Sequence, residues 1–191
     1  MIPRYRAIEK ILEQVESEDV VLSTTGMISR EVFQTKDRPG NFYMLGSMGL
    51  LSSFGLGLAL LQPDRRVFVL EGDGSALMSL GTLPLIATEQ VANLIHLVLD
   101  NEAYESTGGQ PSISADVDLP QIAKNSGYRH VVRVDDIGDL EDALYRSRKH
   151  PGPQFILAKV GIAPVPDISR VNLTPTEIRD RLTTFLESPK N

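Results

Sequence analysis

Arg66–Ser79 reads RVFVLEGDGSALMS. Val67-Phe68-Val69-Leu70 is an unbroken apolar run, Glu71-Gly72-Asp73-Gly74 stops it, and an apolar, helix-like pattern follows at once. A strand that is apolar on both faces belongs inside a parallel sheet covered by helices. The carboxylate between two glycines then falls at the end of a buried strand, where open α/β sheets bind their ligands.

Outward from this stretch the same alternation recurs. The spacing of Ile8, Ile11, Leu12 and Val15 predicts an amphipathic helix over about 4–17. Strands are expected at Asp19–Ser23, Asn41–Leu45, Leu94–Leu99, near His130–Val134 and at Phe155–Val160. Helices are expected at Ile28–Thr35, Leu50–Leu61, from Gly74 to about Glu89 with a joint marked by Gly81 and Pro84, from Leu119, and at Asp139–Lys149. Glu102–Val117 reads as a long polar loop, long enough to carry function. Residues 161–173, with Pro164 and Pro166, read as a connector. Thr174-Pro175-Thr176-Glu177 then opens a last helix with a capping box. The expected fold is α/β: one doubly wound, mainly parallel domain over 1–191, with 161–191 as connector and C-terminal helix.

The chain of 191 residues is 41% hydrophobic and 23% charged, an ordinary soluble composition. Its net charge of −6, without a local basic patch, argues against nucleic acid or an acidic membrane surface as partner. With no cysteine, it offers no disulfide, thiolate zinc site or cysteine nucleophile, which is compatible with the cytoplasm. No apolar stretch reaches the roughly 20 residues that span a bilayer.

Three expected strand ends carry Gly-rich turns: Thr24-Thr25-Gly26, Gly46-Ser47-Met48-Gly49 and Gly72-Asp73-Gly74. A fourth carries Asp100-Asn101. Asp73 and Asn101 offer hard oxygens that suit Mg²⁺, and one carboxylate fits an ion shared with ligand phosphates. Glycines beside Asp73 let backbone amides approach an anion. Read alone, Gly-Asp-Gly is a tight turn with a solvated carboxylate. Asn101 and the other two turns move the reading to Mg²⁺ with a diphosphate.

The stretches EGDGSALMSLGTLPLIATEQVANLIHLVLDN (71–101), NFYMLGSMGLLSSFGLGLAL (41–60) and LDNEAYESTGGQPSIS (99–114) resemble the thiamin-diphosphate enzymes. Within them, the chain is similar to the cofactor-binding half of the sulfopyruvate and phosphonopyruvate decarboxylases, from about Val20 to Val160. Its length is that of the separate small (beta) subunit of sulfopyruvate decarboxylase. The resemblance implies decarboxylation of a small anionic 2-oxoacid to the aldehyde, with thiamin diphosphate and Mg²⁺ as cofactors. It places Asp73, the Asn101 side chain and the Ala103 carbonyl on the metal. Gly74 and Ser75 would face the diphosphate, with Thr25, Gly26, Ser47, Gly72 and Tyr104 completing the cofactor site. The Gly46 carbonyl would meet the aminopyrimidine, and Met48, by itself a plain core methionine, would support the bent cofactor. Ser106, Thr107, Gly108 and Gly109 are candidates for the substrate's second anion or for a closing loop.

The family also needs a glutamate on a pyrimidine-binding domain, and no second α/β domain of that kind is legible here. The acids of this chain fall in helices and connectors, where solvated charge is expected. The resemblance therefore implies a partner (alpha) subunit that supplies the glutamate, a chain inactive alone, and association into an oligomer. His96, His130 and His150 read as structural. The alternatives are the cofactor half of an acetolactate-synthase-like enzyme or a 2-oxoacid oxidoreductase, and a non-catalytic cofactor-binding subunit.

Overall fold

A computed structural model describes residues 1–162 and 167–188. Pro164 and Pro166 of the expected connector lie outside the described residues. The chain runs β1 (Ile2–Pro3), α1 (Arg4–Glu13), β2 (Val20–Ser23), α2 (Met27–Lys36), β3 (Asn41–Tyr43), α3 (Leu51–Leu61), β4 (Val67–Gly72), α4 (Asp73–Met78) and α5 (Thr82–Glu89). It continues through β5 (Leu94–Asp100), β6 (Ala103–Tyr104), β7 (Gln110–Pro111), α6 (Leu119–Ser126), β8 (His130–Val134), α7 (Ile137–Ser147), β9 (Gln154–Gly161) and α8 (Pro175–Glu187).

Seven strands form one parallel sheet in the order β3-β2-β4-β5-β9. Beyond β9, β8 pairs with its first half and β1 with its end. The chain leaves β2 to one side for β3 and returns to the other for β4. The topological switch therefore lies between the carboxyl ends of β2 and β4, where such sheets leave a crevice. One core lies between the sheet and α1, α2 and α7, built around Ile8, Ile11, Val32, Phe68, Leu97 and Leu144. The other lies under α3, α5 and α6, around Leu22, Leu58, Val69, Ile86, Val98 and Phe155. α8 packs beside β3 and gives Ile178 to the first core and Leu182 to the second. Its start is the expected capping box: Thr174 caps the Glu177 N–H, and the Glu177 carboxylate accepts from the Thr174 N–H at 2.7 Å.

Gly55 sets the depth of α3. A Cβ there would stand 2.4 Å from Val69 Cγ2, so only glycine lets the helix seat on β4.

Several expectations change. β4 extends through Glu71 and Gly72, which pair with Val98 and Leu99, because Glu71 finds a buried partner and does not break the strand. The joint after Gly74 falls at residues 79–81. Pro84 lies inside the first turn of α5, where no backbone donor is needed. The 102–117 segment is ordered by the antiparallel pairing of β6 with β7 and two single 3₁₀ turns. The acids are not all solvated: Glu31, Glu71, Asp73 and Asp100 are buried. No helix among the described residues is long and apolar enough to cross a membrane.

Candidate functional site

The four unusual strand ends emerge on one rim of the sheet. Gly72 is aligned with Leu99, which brings Asp73 level with Asp100 and sets Asn101 one step beyond. A cleft of about 110 Å³ opens there between β2, β4 and the segment after β5. Of the residues singled out from sequence, Thr25, Met48, Gly72, Gly74, Ser75, Asn101, Tyr104, Ser106 and Thr107 line it. Asp73 is buried beneath its floor, 2% exposed. Gly26 borders it, since a Cβ there would lie 3.3 Å from Ser106 Oγ. Gly46 and Ser47 face outward, and Gly108 and Gly109 are exposed at the tip of the β6–β7 turn.

Asp73 is held by two serines from the ordered loop. Ser112 donates a short hydrogen bond to Oδ2, Ser114 Oγ lies 3.1 Å from the same oxygen, and neither takes Oδ1. Burial raises the Asp73 pKa above the ordinary 3.8 and the charge of Asp100 adds to the rise, while the serine hydroxyls oppose it. Among the described residues no cation pairs with it. Asp100, by contrast, holds Lys159 at 2.7 Å.

Asn101 is oriented from both ends. Its Oδ1 accepts from the Ala103 N–H at 3.1 Å, and its Nδ2 donates to Glu105 at 3.3 Å. Glu102, at φ +58, turns the chain between them. Arg4 reaches into the same cleft from α1. It meets Glu31 through two hydrogen bonds of 2.8 and 2.7 Å and grips Glu105 by a short one. Burial works to lower the Arg4 pKa, but the two carboxylates more than reverse it, so Arg4 stays charged.

Gly74 permits a close stack at the floor. A Cβ there would meet Tyr104 Cε1 at 2.4 Å and Met48 Cε at 3.0 Å. The Ser75 side chain is fully engaged within the protein. Its hydroxyl donates to Glu71 Oε2 at 2.7 Å and accepts from the Gly49 N–H at 3.2 Å and the Thr24 hydroxyl at 3.4 Å. One hydrogen and two lone pairs are thereby used, and only the backbone N–H of Ser75 remains for an anion.

The donor set at this rim is oxygen throughout: the Asp73 carboxylate, the Asn101 amide oxygen and the Ala103 carbonyl. That set, beside a buried carboxylate lacking a cation, fits Mg²⁺. The first-turn amides after Gly72 have no partner within the helix, as the approach of a diphosphate requires. Sequence reading missed Arg4, Glu105, Ser112 and Ser114. No local pattern marks the first pair, which lie 101 positions apart, and serines in a polar loop carry no signal of their own.

A larger cavity, about 740 Å³, lies at the opposite edge along β8, lined by Arg129, Arg133 and Arg146 among others. None of the strand-end residues contributes to it.

Residues 24–158 match the family model described as "Thiamine pyrophosphate enzyme, C-terminal TPP binding domain". The chain is 44% identical to the sulfopyruvate decarboxylase subunit beta of Methanothermobacter thermautotrophicus, covering 95% of this chain and 94% of that protein. It is 40% identical to the phosphonopyruvate decarboxylase of Streptomyces viridochromogenes over 97% of this chain, and spans 47% of that longer protein. In fold it resembles the thiamine diphosphate-dependent 4-hydroxybenzoylformate decarboxylase of Rhodococcus jostii, with a TM-score of 0.73 and 18% identity over 84% of this chain and 33% of that one. The 2-oxoglutarate:ferredoxin oxidoreductase of Magnetococcus marinus is alike in fold, with a TM-score of 0.70 and 18% identity over 92% and 66%. By its parallel sheet, its strand-end site and these likenesses, the chain belongs to the thiamine-pyrophosphate enzymes, as the C-terminal cofactor-binding domain found in the sulfopyruvate and phosphonopyruvate decarboxylases.

Proposed function

We propose that this chain is the cofactor-binding subunit of a thiamin-diphosphate and Mg²⁺-dependent decarboxylase of 3-sulfopyruvate or 3-phosphonopyruvate, releasing CO₂ and the aldehyde. The observation that carries the reading is Asp73: a buried carboxylate at the switch point, without a cation among the described residues, beside Asn101 on the same rim. Asp73, Asn101 and the Ala103 carbonyl would hold the metal, and the backbone N–H groups of Gly74 and Ser75 would receive the diphosphate. Met48, half-buried over Gly74, would support the cofactor from below, with the Gly46 carbonyl accepting from its aminopyrimidine. Bound there, thiamin diphosphate supplies the electron sink for decarboxylation. Tyr104 would pack with Met48 at the floor, and Thr107 would narrow the cleft above the cofactor and limit water.

A partner subunit belongs to the same proposal. Leu45, Leu50 and Met78 are 50%, 56% and 62% exposed around the GSMG turn, an apolar surface that a partner would cover. That partner would bring the pyrimidine-binding domain and its activating glutamate. Arg4 and Lys159 are committed to carboxylates, so neither is free for the sulfonate or phosphonate. The cysteine-free chain fits a cytoplasmic setting.

The test is reconstitution. The purified chain with thiamin diphosphate and Mg²⁺ should release no CO₂ from either substrate, and should do so once the partner is added. Turnover by the chain alone removes the need for a partner. Failure to bind thiamin diphosphate with or without the partner overturns the reading as a whole.

A further inference from the structure

Behind the cleft lies a buried polar chain that the cofactor contacts do not use. Glu71 and His96 are both 0% exposed, on adjacent strands and on the face of the sheet that packs beneath α3 and α5. Val69 pairs with His96, so Glu71 is its diagonal neighbour, and Glu71 Oε1 lies 2.6 Å from His96 Nε2. His96 Nδ1 lies 3.0 Å from the Tyr128 hydroxyl, and Phe155 packs edge-on against both rings. Burial raises the Tyr128 pKa, so its hydroxyl stays protonated. In the Nε2–H tautomer of His96, Tyr128 donates to Nδ1 and Nε2–H donates to Glu71; in either tautomer the other Glu71 oxygen receives the Ser75 hydroxyl hydrogen.

Replacing a buried ion pair by apolar groups of similar volume is often neutral for stability, so stability alone does not account for the polar chain. What the polar chain adds is the orientation of one hydroxyl. Because Ser75 gives its hydrogen to Glu71, its lone pairs are turned to the Gly49 N–H and the Thr24 hydroxyl. One atom thus joins the end of β2, the turn after β3 and the turn after β4. Gly49 is the point at which the tether meets the turn after β3. It sits at φ +87, where a Cβ would lie 2.8 Å from Met78 Cβ, and Ser47 two positions before it is at φ +53. Glycine takes such a φ freely, so the strain lies at Ser47, a non-glycine in the left-handed region, and the hydrogen bonds of the turn help to hold it there.

We propose that Glu71 and His96 are positioning residues: through Ser75 they fix the Gly46–Gly49 turn against the Gly72–Ser75 turn, and so set the distance between the pyrimidine and diphosphate ends of the cofactor site. The cofactor assignment itself rests on the proposed function, whereas the tether can be read without any cofactor.

The experiment has two readouts on the full chain. Amide hydrogen exchange at Gly49 is measured first, without cofactor or metal. Thiamin diphosphate affinity is then measured with Mg²⁺, well below the melting temperature. Ser75→Ala and Glu71→Leu should each speed Gly49 exchange and weaken thiamin diphosphate by about tenfold. Glu71→Gln should restore both to near wild type, since its oxygen can accept from Ser75 while its amide donates to the other tautomer of His96. Leu94→Ala, at the far end of β5, should lower the melting temperature and move neither readout. If Glu71→Leu fails to fold, Ser75→Ala carries the test. Unchanged Gly49 exchange in Ser75→Ala overturns the tether. Faster exchange with unchanged affinity overturns its role in cofactor binding. A wild-type chain that binds no thiamin diphosphate overturns the proposed function and leaves the exchange result to decide the tether.

Discussion

Asp73 and Asp100 converge on one hydroxyl. Ser114 Oγ lies 3.1 Å from Oδ2 of Asp73 and 2.8 Å from Oδ1 of Asp100, and it has a single hydrogen to give. Asp100 also holds Lys159, whereas Asp73 has the Ser112 hydroxyl and no cation among the described residues. The asymmetry leaves Asp73 as the carboxylate in want of positive charge. Ser114→Ala should therefore weaken Mg²⁺ by about 10–100-fold through loss of orientation. Asp73→Asn should remove the Mg²⁺-dependent thermal shift altogether while the chain stays folded. Melting curves across a Mg²⁺ titration, with and without thiamin diphosphate, check both.

The same carboxylate sets a pH dependence in the metal-free chain. Its folded pKa is raised above 3.8 by burial, so the folded state binds its proton more readily than the unfolded chain does. The destabilisation is fully present above the folded pKa and is relieved as pH falls through it towards 3.8. Asp73→Asn should be the more stable protein at about pH 8. Its advantage should shrink as pH falls towards about 4, in urea titrations without metal.

Arg4 is a buried cation between two carboxylates, and Glu31 is as deeply buried as Arg4. Arg4→Leu should cost about 3–5 kcal/mol because it strands the Glu31 charge. The double variant Arg4→Leu, Glu31→Leu should recover most of that cost. Urea unfolding of the single and double variants tests this, and hydrogen exchange should show residues 105–109 loosened in both.

Leu50 is exposed beside the GSMG turn, so Leu50→Asp should change the stability of the isolated chain by less than about 0.5 kcal/mol. It should weaken association by about tenfold or more if this face is an interface. Light scattering of the chain alone and pull-down with the partner subunit give the two measurements.

What could be read from the sequence follows from the range of each signal. Val67–Leu70 and Leu94–Leu99 announce buried strands because both faces are apolar, and Thr174–Glu177 announces a helix start because the capping box is local. Asp73 and Asn101 stand out as candidates because each follows such a strand directly. Glu71 was misread as a strand breaker: its acceptability depends on His96, a neighbour in space only. Ile2–Pro3 joins the sheet with two residues, too few to show a period. Arg4 and Glu105 meet across 101 positions, and no spacing within either segment records the other.

The β6–β7 clasp has a practical reading for substrate range. Ala103 pairs with Pro111 and Tyr104 with Gln110, and the turn between them bonds mainly to itself, through the Gly109 N–H to Tyr104 and Gln110 to Thr107. Glu105 is the member tied to Arg4 and Asn101. Residues 106–109 are thus a cassette mounted on a closed base, at the mouth of the cleft and outside the hydrogen-bond network of Asp73. Such a cassette can change length and composition while Asn101, Ser112 and Ser114 stay in place. Grafting it between a sulfonate-acting and a phosphonate-acting relative tests whether this turn meets the substrate's second anion: the preference in steady-state assays with both substrates should then follow the graft.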